Sequence, residues 1–170
     1  MKKLLIKLII FTMILFTFTG CYTLSKTYYY ETRPNEYVYI YATILNSEKR
    51  DAPIDMISIR PINFADLKKS KKVEILSNRI KVVYAGKEYY LKPTKSKMSI
   101  LPYDEGIILK EGTVVYFGKV KVDDKMIIDM PPVKLKQYLK VVKFNPVAGG
   151  LNIDTSQDIY YGPAEGYKGR

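Results

Sequence analysis

The stretch Glu36–Asn46, EYVYIYATILN, reads as a β-strand, and the fold follows from how often its pattern recurs. Val38, Ile40, Ala42 and Ile44 alternate with Tyr37, Tyr39, Tyr41 and Thr43. Side chains of an extended chain point to opposite faces in turn, so period two separates an aliphatic face from a tyrosine face. Both faces are apolar enough to be covered, which makes this strand central in a sheet or brings its tyrosine side against a partner.

Working outward, SEKRDAP makes a polar turn, and a second strand over Ile54–Ile59 stops at Pro61, which lacks a ladder donor. Asn63 to Asp66 suits the start of one helical turn running to Lys69, with Asn as cap and Asp in the first turn. Val73–Leu76 is a short strand. Arg79–Tyr84 and Glu88–Lys92 flank Ala85-Gly86-Lys87, which reads as a hairpin. Thr113–Val122 is read as one strand, with Val114, Tyr116, Gly118, Val120 and Val122 opposite Val115, Phe117, Lys119 and Lys121. Asp123–Lys125 turns the chain into Met126–Met130, which Pro131-Pro132 ends. Val133–Phe144 alternates once more, Val133, Leu135 and Leu139 opposing Lys134, Lys136 and Lys140.

Roughly eight or nine short strands, with turns every 8–12 residues and almost no helix, predict an all-β fold. The expected architecture is a single antiparallel β-sandwich over residues 36–146, with an immunoglobulin-like form or a small barrel as alternatives. Only generic sandwich architecture is supported, because the chain has no tryptophan and a single cysteine where immunoglobulin domains carry a pair. Residues 21–35 read as a tether that picks up an edge strand near Tyr28–Glu31. Residues 147–170 hold five of the ten glycines and read as partly irregular, with Asp158–Tyr161 able to add a strand edge.

The N-terminus carries a different signal. MKKLLIKLIIFTMILFTFTGC has Lys2, Lys3 and Lys7 ahead of an apolar run from Leu8 to Phe18, then small residues before Cys21. That layout is a secretory signal. The apolar run is about eleven residues, short of the roughly 20 that span a bilayer as a helix. Its ending, Phe18-Thr19-Gly20-Cys21, resembles the lipobox of bacterial lipoproteins. The resemblance covers residues 1–21 alone. It implies that residues 1–20 are a cleaved signal peptide and that the Cys21 thiol is acylated. It also implies a protein anchored by lipid (diacylglyceryl and palmitate-type chains) outside the cytoplasmic membrane. Tyr22, rather than Asp, after the cysteine points to the outer membrane and its periplasmic face in a diderm envelope.

Composition removes most chemistry. The chain has no histidine, and with Cys21 acylated no thiol remains for a disulfide, a nucleophile or a thiolate metal site. The formal charge of +11 becomes +8 once the three signal-peptide lysines are gone. Lys68, Lys69, Lys71 and Lys72 form one basic cluster, and Lys134, Lys136 and Lys140 a second. They suit an anionic polymer or headgroups, or they are solvated faces that guard sheet edges. Tyr37, Tyr39 and Tyr41, with Tyr28–Tyr30, are the candidate interaction surface or a sheet covering. Asp154 and Asp158 lack the spacing of a calcium loop, and Ser70-Lys71 and Ser96-Lys97 are neighbours whose side chains diverge in an extended chain. No catalytic residue, metal or cofactor is expected, and export argues against nucleic acid as a partner. The expected function is a non-catalytic protein-binding or structural module of the envelope. A binder of an anionic or glycan polymer is the alternative, and a hydrolase the residual one.

Overall fold

The structure is a computed structural model that describes residues 6–7, 22–62, 72–123, 126–150 and 153–169. The described chain forms β1 (Thr23–Thr32), β2 (Val38–Ile44), β3 (Ile54–Pro61), β4 (Val73–Ile75), β5 (Ile80–Tyr84), β6 (Lys87–Leu91) and β7 (Ser99–Ile100). There follow β8 (Val114–Tyr116), β9 (Gly118–Val122), β10 (Met126–Met130), β11 (Val133–Lys134), β12 (Gln137–Phe144), a single helical turn α1 (Pro146–Gly150) and β13 (Gln157–Pro163). A six-stranded sheet has the order β13-β12-β1-β2-β3-β7, a four-stranded sheet β11-β8-β5-β6, and a three-stranded sheet β10-β9-β4. The fold is therefore all-β, antiparallel and sandwich-like, and no closed barrel forms among the described residues.

One core joins the three sheets. Val38, Ile40, Ala42 and Ile44 of β2 are buried, while Tyr39, Tyr41 and Thr43 are half-buried on the other side, as the alternation requires. Ile57 and Ile59 of β3 lie beside them, with Ile80, Val82 and Val115 from the four-stranded sheet and Val73, Ile75, Val120 and Val122 from the three-stranded one. Each fully buried aliphatic side chain contributes about 1.5–3 kcal/mol relative to exposure. β3 keeps Ile54 inward despite its odd spacing from Ile57, because Asp55 is an extra residue at a bulge opposite Thr43/Ile44.

The hairpin forms where the sequence places it, with a tighter loop than the triplet reading. Tyr84 pairs with Lys87, leaving Ala85 (φ 49°) and Gly86 (φ 76°) as the two turn residues, the positive-φ pair that matches strand twist.

Three readings are corrected. The tether read over residues 21–35 is a strand in its described part: Thr23–Thr32 is ten residues long inside the six-stranded sheet, paired to β12 on one side and β2 on the other. Its buried surface is aromatic, Tyr30 being fully enclosed, and three tyrosines in a row conceal the period-two signal. The domain thus begins at β1 and ends beyond 146, since β13 pairs along β12 as the sheet's outer strand.

Thr113–Val122 is not one strand. Val115 and Phe117 are buried, then Val120 and Val122, so the inward parity flips at Gly118. Gly118 sits at φ +67°, where the chain leaves the four-stranded sheet and enters the three-stranded one. Val133–Phe144 is also divided: β11 belongs to the four-stranded sheet and β12 to the six-stranded one. Here parity survives, with Val133, Leu135, Gln137, Leu139 and Val141 all buried. The crossing is stitched by Leu135 N–H donating to the Thr113 carbonyl at 2.9 Å and the Thr32 hydroxyl donating to the Lys134 carbonyl at 3.2 Å. The helical turn read over Asn63–Lys69 lies outside the described residues.

A Cβ at Gly118 would stand 2.9 Å from Ser77 Oγ as well as in the left-handed region, whereas Gly86 faces open space. Gly118→Ala is therefore expected to destabilise by about 1–3 kcal/mol, and Gly86→Asn by less than about 0.5. Urea unfolding midpoints check the difference; equal midpoints would show that the sheet switch does not need glycine.

Candidate interaction face

Register decides which side chains stand together on the outer side of the six-stranded sheet. Tyr29 lies directly opposite Tyr138, Glu31 opposite Tyr41, Tyr39 opposite Arg60, and Lys140 opposite Tyr161. Since Tyr30 and Ala42 point inward, these partners point outward. Their rings converge on Tyr29, whose centroid is 5.6 Å from Tyr41, 6.0 Å from Tyr138 and 6.1 Å from Tyr161. Such spacings suit aromatic attraction beyond area burial. Arg60 stacks over Tyr41 at 4.8 Å, a cation–π contact. The Tyr161 hydroxyl donates to Glu31 Oε2 at 3.1 Å, and Arg33 pairs with the other oxygen at 3.4 Å.

The cluster has a covered centre and an open rim. Tyr29 is 7 % exposed, while Tyr161 is 59 % exposed. Burial pushes the Tyr29 phenol well above its ordinary value, and the nearby Tyr161, Glu31 and Tyr41 add to the shift. Its oxygen is buried without a well-formed hydrogen bond among the described residues. Along the same face, towards the start of β1, an open cleft of about 580 Å³ lies between Ser25, Val142 and Phe144 and the segment bearing Ile153 and Thr155.

The structure sorts the expected residues. Tyr41 is in the cluster and Tyr39 flanks it, but Tyr37 packs against the main core. Tyr28 and Tyr30 also face the core, so of the three consecutive tyrosines only Tyr29 contributes. Tyr138, Tyr161, Arg60 and Glu31 were not singled out from sequence. Tyr138 shares parity with Lys134, Lys136 and Lys140, a usable signal, whereas Tyr161 reaches the cluster through the β1–β12–β13 ladders and Arg60 through the pairing of β3 with its neighbour β2.

The lysine clusters gain less support. Lys134 and Lys136 are exposed, but Lys134 sits on the four-stranded sheet and Lys140 on the six-stranded one, where its ammonium is 3.2 Å from Asp158. Lys72 is described, with its N–H bonded to Asp123 Oδ1 at 3.0 Å. Lys68, Lys69, Lys71 and Cys21 lie outside the described residues.

Among the described residues, Ser96 and Lys97 turn to different partners. Lys97 reaches Glu74 at 2.8 Å, and the Ser96 hydroxyl is 2.9 Å from that of Thr94. Asp154 is held by the N–H and hydroxyl of Ser156, bonds that lower its carboxyl pKa. No group of three or more His, Cys, Asp or Glu is gathered among the described residues. Ser70-Lys71 falls outside them.

Comparison with known protein families, with curated proteins and with solved structures finds no match for this chain.

The buried phenols make stability fall at alkaline pH. Tyr29, and Tyr30, which burial raises most with Glu111 and Asp51 adding, hold their protons above the ordinary value of 10.0. Their contribution is complete below pH 10 and is lost as pH rises beyond it, because the unfolded chain releases those protons first. Urea unfolding between pH 9 and 11 should steepen in loss for the wild type, by up to about 1.4 kcal/mol per pH unit per group, and less for Tyr29→Phe. An unchanged slope in Tyr29→Phe would mean that its phenol is not held protonated.

Proposed function

We propose that the protein is a lipoprotein of the bacterial cell envelope, anchored through acylated Cys21, whose β-domain is a non-catalytic protein-binding module. The observation that supports a binding role is the Tyr29–Tyr41–Tyr138–Tyr161 cluster with Arg60 on the outer side of the largest sheet. Tyrosine and arginine are the residue types that concentrate binding energy at protein interfaces, and Tyr161 and Arg60 stand exposed beside the packed rings. Tyr161 and Glu31 at the rim supply hydroxyl and carboxylate groups that fix orientation.

Lys134 lies on the four-stranded sheet, Lys136 in the connection and Lys140 on the six-stranded sheet paired to Asp158, which weighs against a polyanion groove at that cluster. Localisation follows from the anchor: outside the cytoplasmic membrane, on the periplasmic face of the outer membrane where there is one.

Two experiments test the two halves. Cells fed a fatty-acid analogue should label the wild type and not Cys21→Ser; label retained by the variant would overturn the anchor. In crosslinked envelopes, Tyr161→Ala with Arg60→Glu should weaken capture of a defined partner about tenfold or more. Lys134→Glu, Lys136→Glu and Lys140→Glu together should leave that capture intact. The reverse pattern, with steep salt dependence, would favour a polyanionic ligand.

A further inference from the structure

We infer that the end of the sandwich formed by the start of β1, the end of β12 and the start of β13 is seated in the bilayer interface. This inference rests on acylation of Cys21. β1 begins at Thr23 and is already paired there, with Phe144, so the ordered sheet starts two residues after the cysteine. An extended chain covers at most about 3.6 Å per residue, which puts Thr23 within about 7 Å of the acylated residue. A lipid at Cys21 thus leaves no slack to hold the domain away from the membrane.

What stands at that end suits an interface. Tyr22, Leu24, Ile153 and Ile159 are large apolar side chains with about half their surface exposed, at 54 %, 46 %, 45 % and 49 %. The antiparallel ladders bring three of their strands together: Thr23 meets Phe144, and Lys143 meets both Leu24 and Gln157. Ile153 and Phe144 both line the open cleft. The Lys143 ammonium lies 4.0 Å from the Tyr22 ring centroid, and that of Lys26 is 5.4 Å from the Tyr167 ring. Tyrosine rings and lysines with apolar stems are the side chains that settle between acyl chains and headgroups.

The acidic groups nearby set the depth. Asp158 is paired with Lys140, and Asp154 is kept ionised by its bonds to Ser156. An ionised carboxylate is costly below the headgroups, so Asp154 stays at headgroup level while Ile153, its neighbour, dips beneath.

The test uses the full acylated protein in vesicles of phosphatidylethanolamine and phosphatidylglycerol. Because Cys21 is the sole cysteine and its thiol is occupied, one added cysteine carries a nitrobenzoxadiazole label. Leu24→Cys and Ile153→Cys probe the seated end; Tyr90→Cys on β6 and Ile127→Cys on β10, both exposed, probe elsewhere. Labels at 24 and 153 should emit at shorter wavelength and be quenched by aqueous iodide about fivefold less than the other two. Equal quenching at all four sites in protein shown to carry lipid would overturn the seating and leave the anchor standing. Protein that carries no lipid at Cys21 would overturn the anchor, and the seating with it.

Discussion

The ladder between β1 and β12, eight residue pairs from Thr23–Phe144 to Tyr30–Gln137, is the interaction on which the rest depends. It joins the first of the thirteen described strands to the twelfth. Without it the six-stranded sheet would fall into a β1-β2-β3-β7 part and a β12-β13 part. The aromatic cluster is a product of that seam, since Tyr29 comes from β1, Tyr138 from β12, Tyr41 from β2 and Tyr161 from β13. The small second core of Leu139, Val141 and Ala164, packed with Tyr28, Tyr160 and Tyr167, forms under the same seam. Buried Gln137 fastens its Tyr30 end, donating to the Arg50 carbonyl.

Much of this was legible where one face is aliphatic and the other is not. β2 reads correctly residue by residue, because burial on one side alone selects Val38, Ile40, Ala42 and Ile44. The hairpin around Gly86 reads correctly from the two alternating runs that flank it, but its two-residue loop does not, since Ala85 at positive φ is not a residue that marks such a turn. The sheet switch at Gly118 does not read from alternation, since a single left-handed residue reverses the parity and leaves the apolar count unchanged. β1 was hidden for another reason. A tyrosine serves equally as core, as in Tyr30, or as surface cluster, as in Tyr29, and type alone does not tell which side is buried.

The candidate face was legible only in part. Tyr39 and Tyr41 sit on a strand whose outward side is plain in the sequence. Their neighbours are contributed by β1, β12 and β13, and register across the seam is a property of the folded sheet. Glu31 and Arg60 lie in segments with no local pattern that marks them, yet they set the charge at the cluster's edge.

The seam also dictates an order of events. Thr23 and Phe144 are more than a hundred residues apart, so a chain emerging from a ribosome presents β1 long before its β12 partner exists. β2, β3 and the β5–β6 hairpin close on near neighbours at once, while one edge of β1 waits for nearly the whole chain. The segment carrying three consecutive tyrosines is thus open on one side throughout emergence. Its completion is the step that turns a set of local hairpins into one domain.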